Sequence, residues 1–187
     1  MTEDAPRWRR GRLLIATPKL GDSHFHRAVV LIIEHNAEGA LGVILNRPTE
    51  DLSSEIVPGR IADAVAPGER VHEGGPVRPE AMIVLAEFED AEDAAAIAFD
   101  SIGVVSPDAD EGGLDADVAA IRVFCGYAGW DAGQLEREIE EDSWIDAACV
   151  PDDVFTRAPE SLWSRVLERK GGRYRLVASM PEDPSLN

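Results

Sequence analysis

Cysteine is scarce in this chain of 187 residues: Cys125 and Cys149 are the only two, and they do not form a CxxC pair. That excludes a disulfide scaffold and a cysteine-built zinc site, and it fits a reducing compartment. Long apolar runs are absent as well. The longest, such as residues 28–33, fall far below the roughly 18 residues a membrane-spanning helix needs. Residues 13–16 are too short for the apolar core of a signal peptide, roughly 7–15 residues, so the chain reads as cytoplasmic. Positive charge is the third shortage. Eighteen Lys and Arg face 36 Asp and Glu, a net charge of −18. Residues 13–156 hold 8 basic and 30 acidic side chains, a balance of −22, while the two chain ends are mildly basic. Such a body repels nucleic acid and anionic lipid, because binding either relies on neutralising phosphates. Neither is expected as a partner.

Catalytic motifs are missing too. There is no GxSxG nucleophile elbow and no SxxK. Zinc hydrolases of the HExxH type place two His one helical turn apart with a Glu between them. His72-Glu73 runs into Gly74-Gly75-Pro76, which supplies neither a second His nor a helix. His24 and His26, near Asp22, would share one face of a strand, but the plainer expectation is surface histidines. Asp108 opens a calcium-loop-like stretch whose twelfth position is Ala119, where a bidentate Glu is required. Gly126, Gly129 and Gly133 follow a strand and precede a helix, yet their spacing is wrong for a dinucleotide or P-loop cradle. Asp131 would also repel a phosphate there. These glycines are expected to let the chain turn closely over Trp130. Glu34 and His35 are neighbours on a strand and point to opposite faces, so their side chains cannot pair. Cys125 is expected to be a small core residue. Neither a cofactor nor a metal is expected.

What the sequence does hold is strands alternating with helices. Residues 28–35 are apolar on both faces, as in a buried central strand, and residues 36–39 turn into a second strand over 41–46. Further strands are expected at 13–16, 81–86, 97–99, 102–105, 121–125, 144–147 and 174–178. Helices are expected from Arg60, after Asp131, over 152–156, and from Pro159 to Gly171. Asp131 and Gln134 resemble a capping box, with Asp131 as the N-cap and Leu135 and Ile139 as the buried stripe. The expected fold is α/β (mixed α+β): a mixed sheet with an N-terminal β-hairpin, covered by helices. It forms one domain over residues 11–178, between loose tails at 1–10 and 179–187.

Several short motifs then occur in order. They are Leu13-Leu14-Ile15-Ala16-x-Pro18, Asp22-x-x-Phe25, Val29-Val30, Glu34-His35-Asn36, Gly39-Ala40-x-Gly42, Asn46-Arg47-Pro48 and Gly74-Gly75-Pro76-Val77. Gly126-Tyr127-Ala128-Gly129-Trp130, Gly133-Gln134-Leu135-Glu136, Glu138 and Trp144 complete the set. Together they resemble the YqgE/AlgH family of bacterial proteins over about residues 11–175. The resemblance implies a compact α/β fold with a mixed sheet and no established biochemical activity. One branch of that family has been linked genetically to regulation of exopolysaccharide synthesis. The resemblance draws attention to Glu34, His35, Asn46, Gly74, Gly75, Gly126, Trp130 and Gln134, as ligand positions or fold determinants, with no catalytic role to carry over. The expectation is a non-enzymatic protein that binds a protein partner or small ligand, with regulation as one outcome. The alternative is an enzyme whose site assembles from His35, Asn46 and His72. A transcriptional role conflicts with the acidity.

Overall fold

Alternation of apolar side chains decides the layering of this protein. The computed structural model describes residues 8–57, 59–106 and 117–180; the calcium-like stretch from Asp108 falls largely outside them. The described residues hold ten strands: β1 (Arg12–Ala16), β2 (Val29–Asn36), β3 (Gly39–Ile44), β4 (Pro48–Leu52), β5 (Arg70–Glu73), β6 (Val77–Phe88), β7 (Ala96–Phe99), β8 (Ile102–Val104), β9 (Val118–Asp131) and β10 (Trp144–Ala148). The described helices are α1 (Ser53–Ile56), α2 (Gly59–Ala64), α3 (Gln134–Glu140), α4 (Pro151–Val154), α5 (Leu162–Lys170) and α6 (Tyr174–Ala178). About 41% of the described residues are strand and 27% helix, which makes the class α+β. No helix among the described residues is long and apolar enough to cross a membrane.

The sheet runs β10-β1-β2-β3-β9-β6-β8-β7, with β4 and β5 joined to β9 off this path. Every pairing is antiparallel except β5 with β9. The central strand β2 explains the layers. Val29, Leu31 and Ile33 enter one core with Phe124, Leu85, Ile102 and the α5 residues Leu162, Trp163 and Val166. Val30 and Ile32 enter a second core on the opposite face, roofed by Leu135 of α3 with Trp130 and Trp144. A third core lies against the other half of the sheet, under Val57 and the α2 residue Ile61. Both faces of the sheet are therefore covered, as the unbroken apolar run in β2 requires.

The longest strand, β9, serves both halves. It pairs with β6 from Val118 to Cys125 and again at Tyr127, opposite Val77, and with β5 at His72 and Glu73; from Ala128 it pairs with β3. Gly126, at φ +71, sits at the break in the β6 register, just before the β3 pairing begins. The stretch expected to turn over Trp130 is thus strand, and its glycines permit close crossing rather than reversal. Gly74 donates its N–H to the Cys125 carbonyl at 2.7 Å, and its own carbonyl accepts from Ile44 N–H at 2.9 Å. The Gly74-Gly75 segment is in this way wedged between β3 and β9.

Other expectations need correction. Residues 174–178 form helix α6, not a strand. Gly171 and Gly172, at φ +77 and +56, re-aim the chain, and Tyr174, Val177 and Ala178 then pack on the first core at helical spacing. Asp131 is the last residue of β9 and makes no side-chain cap; Gly133, at φ +72, precedes α3. Only half of the expected box exists, because Gln134 Oε1 accepts from Asp131 N–H at 3.0 Å. His24 lies in a short 3-10 turn at Ser23–Phe25 rather than on a strand, because Asp22 accepts from the His24 amide at 2.9 Å and caps that turn. Strands β4 and β5 were not foreseen, since Pro48 and the charged Arg70 and Glu73 mask short edge segments.

Candidate functional site

The residues singled out by the motifs separate into three groups. Gly74, Gly75 and Gly126 form the crossing. A Cβ on Gly74 would stand 2.2 Å from the Gly126 carbonyl oxygen, and one on Gly126 would stand 2.4 Å from the Gly75 oxygen. Side chains cannot occupy such space, so the crossing requires glycine at these positions.

His35, Trp130 and Gln134 gather around α3. Trp130 Nε1 donates to Glu138 Oε2 at 2.9 Å, and Trp144 Nε1 donates to the same oxygen at 2.8 Å. Gln134 Nε2 donates to Glu138 Oε1 at 2.8 Å. Both carboxylate oxygens are thus used to lock two indoles and a helix start. His35 is buried on the same side of the sheet. Its Nδ1 accepts from the Arg9 amide at 3.0 Å, so Nε2 carries the ring proton and donates to Glu136 Oε1 at 3.2 Å. Glu34 is exposed and instead accepts from Asn36 Nδ2 at 2.8 Å.

Asn46 stands alone at the far end of β2. Its Oδ1 accepts from Val29 N–H and its Nδ2 donates to the Arg27 carbonyl, both at 2.9 Å, supplying the hydrogen bonds a neighbouring strand would. His35 is six residues along β2 from Val29, about 20 Å at strand rise. His72 bonds elsewhere again, to Arg70. The set His35, Asn46 and His72 therefore does not assemble into one site.

His72 is the exception among these residues, because one of its polar atoms is unsatisfied. It sits on β5 opposite Phe124 of β9, with ring centroids 5.8 Å apart, and is 2% exposed. Its Nδ1 lies 3.0 Å from the Arg70 carbonyl oxygen. A carbonyl only accepts, so Nδ1 bears the proton and Nε2 presents a lone pair. That Nε2 is buried and has no hydrogen-bond partner among the described residues. Such an atom normally finds a partner, because an unmet buried acceptor is costly.

His72 lines a cleft of about 420 Å³ together with Arg70, Arg122, Arg157, Glu69 and Thr156. Arg122 is 3% exposed, and its guanidinium donates to Glu69 Oε1, the Val154 carbonyl and the Thr156 carbonyl at 2.8, 2.7 and 3.0 Å. Arg70 bonds the Thr49 carbonyl and Glu50 from the rim. Arg157 is exposed. Burial first, and the Arg122 charge second, push the His72 imidazolium down to about 4, so the ring is neutral at pH 7.

That depression has a consequence for stability. The unfolded chain takes up the His72 proton as pH falls through about 6.5, whereas the folded chain resists until about 4. Stability from this group is therefore full above 6.5 and is lost on acidification toward 4. The expected loss between pH 7 and pH 5 is about 2 kcal/mol. Urea unfolding at the two pH values should show a shallower loss in His72→Gln than in the parent.

Neither Arg122 nor Glu138 is among the site residues expected above, although Glu138 falls within the motif set. Arg122 carried a legible signal: a single charge inside the apolar run Ile121–Cys125 has to be paired when buried. Desolvation raises the thiols of Cys125 and Cys149, both half-buried, above the ordinary cysteine range. No group of three or more His, Cys, Asp or Glu among the described residues is placed to hold a metal ion.

Comparison with known proteins agrees with this architecture. The AlgH-like (DUF179) family model matches residues 13–175. A UPF0301 protein of Streptomyces avermitilis is 42% identical over 95% of this chain and 94% of its own, and one from Streptomyces coelicolor is 43% identical over the same shares. A crystal structure of a Corynebacterium diphtheriae protein superposes with a TM-score of 0.83 at 26% identity, covering 96% of this chain and 95% of that one. The solution structure of the AlgH protein from Pseudomonas aeruginosa gives 0.69 at 27% identity, covering 97% and 98%. The match of motifs, sequence and fold along nearly the whole length makes this chain a member of the AlgH-like family.

Proposed function

We propose that the chain works by binding rather than by catalysis, and that its ligand is a small anion held in the cleft over β5 and β9. One observation carries this reading. A chain of net charge −18 collects Arg70, Arg122, Arg157 and a neutral histidine in the lining of a single concavity, against one carboxylate, Glu69. A volume of about 420 Å³ falls in the range of small-molecule sites, roughly 300–1,000 Å³. Low-dielectric walls concentrate the local positive field, so a small anion can be attracted here while the acidic body repels nucleic acid. The non-enzymatic part of the reading is supported by the distance of His35 from Asn46 and by the raised pKa values of the two half-buried thiols. A small ligand in a cytoplasmic binding protein also suits a regulatory role.

Inorganic phosphate serves as the first probe. Millimolar phosphate at pH 7.5 and constant ionic strength should raise the melting temperature by a few degrees and shift the amide resonances of residues 69–72 and 156–157. The exposed pair of substitutions Arg70→Ala and Arg157→Ala should remove both effects without unfolding the protein. Absence of any phosphate-dependent change in the parent would sink the reading.

A further inference from the structure

We infer that a second binding site, for the carboxylate of a small organic acid, lies in the hollow lined by Arg27 and Arg47, on residues that the anion cleft does not use. The inference starts from a strained backbone. Arg27 stands at φ +52, in the left-handed region that residues with a side chain seldom occupy. Asn46 holds it there, donating from Nδ2 to the Arg27 carbonyl and accepting at Oδ1 from Val29 N–H, both at 2.9 Å. Held in this way, the Arg27 guanidinium lies over the buried Trp163 ring, 4.5 Å from its centroid. Strain of this kind clusters at ligand clamps, where surrounding structure fixes a side chain in one direction.

Arg47 supplies the second cation. Its guanidinium donates to the Asn46 carbonyl at 3.2 Å and to the His26 carbonyl, both of residues that line the same hollow. Those contacts use two of the five N–H donors an arginine carries. Burial pushes the guanidinium below its ordinary pKa, and the charge of Glu73 offsets this only in part. Among the described residues no carboxylate stands within ion-pair distance of Arg47. A desolvated charge ordinarily has a counter-ion, and here the protein leaves that place to a ligand. Solvent reaches both cations. Arg27 and Arg47 are only half-buried, and their contacts with the Met180 and His26 carbonyls are exposed.

Charge and size narrow the ligand. The hollow measures about 290 Å³, at the lower end of small-molecule sites, roughly 300–1,000 Å³. Its one carboxylate, Glu160, is exposed, so two guanidiniums and one acid leave a single positive charge with histidine counted as neutral. That balance suits a monocarboxylate better than dianionic phosphate. The planar fork of Arg47 also matches a carboxylate bidentately. The volume leaves room for an organic portion of a few carbons.

Propanoate is the probe, titrated at pH 7.5 and constant ionic strength beside inorganic phosphate, with arginine Nε–H and tryptophan indole resonances as the readout. It should shift the Arg27 and Arg47 signals and the Trp163 indole saturably, and more tightly than phosphate does. Arg47→Gln should weaken propanoate at least about tenfold, the loss of a charge-assisted pair. Arg47→Lys keeps the charge without the fork and should lose about threefold. Arg70→Ala with Arg157→Ala removes the phosphate response of the cleft and should leave propanoate in place, so the two readings fail separately. Absence of a saturable propanoate shift at Arg27 and Arg47 would overturn the inference, as would tighter binding of phosphate there. A folded Arg47→Gln or Arg47→Lys that binds propanoate as the parent does would overturn it as well.

Discussion

Trp130→Ala should lower the unfolding free energy by about 3–5 kcal/mol, the cost of a large-to-small change at a buried aromatic. Trp130 lies opposite Ala40 in the β3–β9 ladder and is 7% exposed. Its ring stacks near Phe25 at 6.5 Å and meets Trp144 edge-on at 5.8 Å, so three aromatics share the roof of the second core. Removing the indole empties that space and takes away one of the two N–H donors held by Glu138 Oε2. Trp130→Phe keeps most of the volume and loses only the N–H, and should cost about 1–2 kcal/mol. The neighbouring Asp131→Ala supplies the contrast. Asp131 is exposed and caps nothing with its side chain, while its amide bond to Gln134 survives the change, so the effect should stay within about 0.5 kcal/mol. Urea unfolding of the three variants checks the series. An unchanged midpoint in Trp130→Ala would mean the ring is not a packing anchor. A surface hollow lined by Trp130, Glu34 and Ala40 would then become the place to look for a ligand.

The difference between Trp130 and Asp131 shows what the sequence could and could not reveal. A buried Trp next to a helix with Leu135 and Ile139 on one face is a statement about periodicity, and periodicity is local. The same holds for β2, whose apolar residues on both faces already required cover on both sides of the sheet. A cap depends instead on where the strand stops, and β9 runs on to Asp131 because β3 is there to pair with it. Tyr174–Ala178 failed for a related reason. Five residues with mixed apolar content fit either period, and the choice was made by the two glycines and the α5 surface ahead of them. The cleft was harder still. His72 and Arg122 are fifty positions apart in sequence, and nothing in either segment says that the two meet. Only the single parallel pairing in the sheet, β5 beside β9, brings them into one wall. Glu138 was visible as part of a motif, but its use as the common acceptor for two tryptophans arises from the β10 strand that returns Trp144 to it.

The same crossing sets the second large expectation, that Gly75→Ala should destabilise the fold by about 4 kcal/mol or more. Two independent costs combine. At φ +151 the Gly75 backbone lies in a region that is essentially glycine's, and an alanine forced there costs of order 1–3 kcal/mol. The new Cβ would also stand 2.3 Å from the Tyr127 carbonyl carbon and 2.4 Å from its oxygen. Relieving such an overlap by moving backbone costs typically 1–3 kcal/mol, and more where the backbone is held. Here it is held on both sides, since Gly74 bonds Cys125 and Ile44, and Tyr127 lies opposite Val77 of β6. Gly133→Ala is the control. It shares a positive φ of 72, but its Cβ would meet nothing within 4 Å, so it pays the backbone cost alone, about 1 kcal/mol. Calorimetric melting of the two variants separates the effects. If Gly75→Ala falls no further than Gly133→Ala, the contact between the Gly74-Gly75 wedge and β9 is not what holds β5 beside β9. The wall that joins His72 to Arg122 would then need another support.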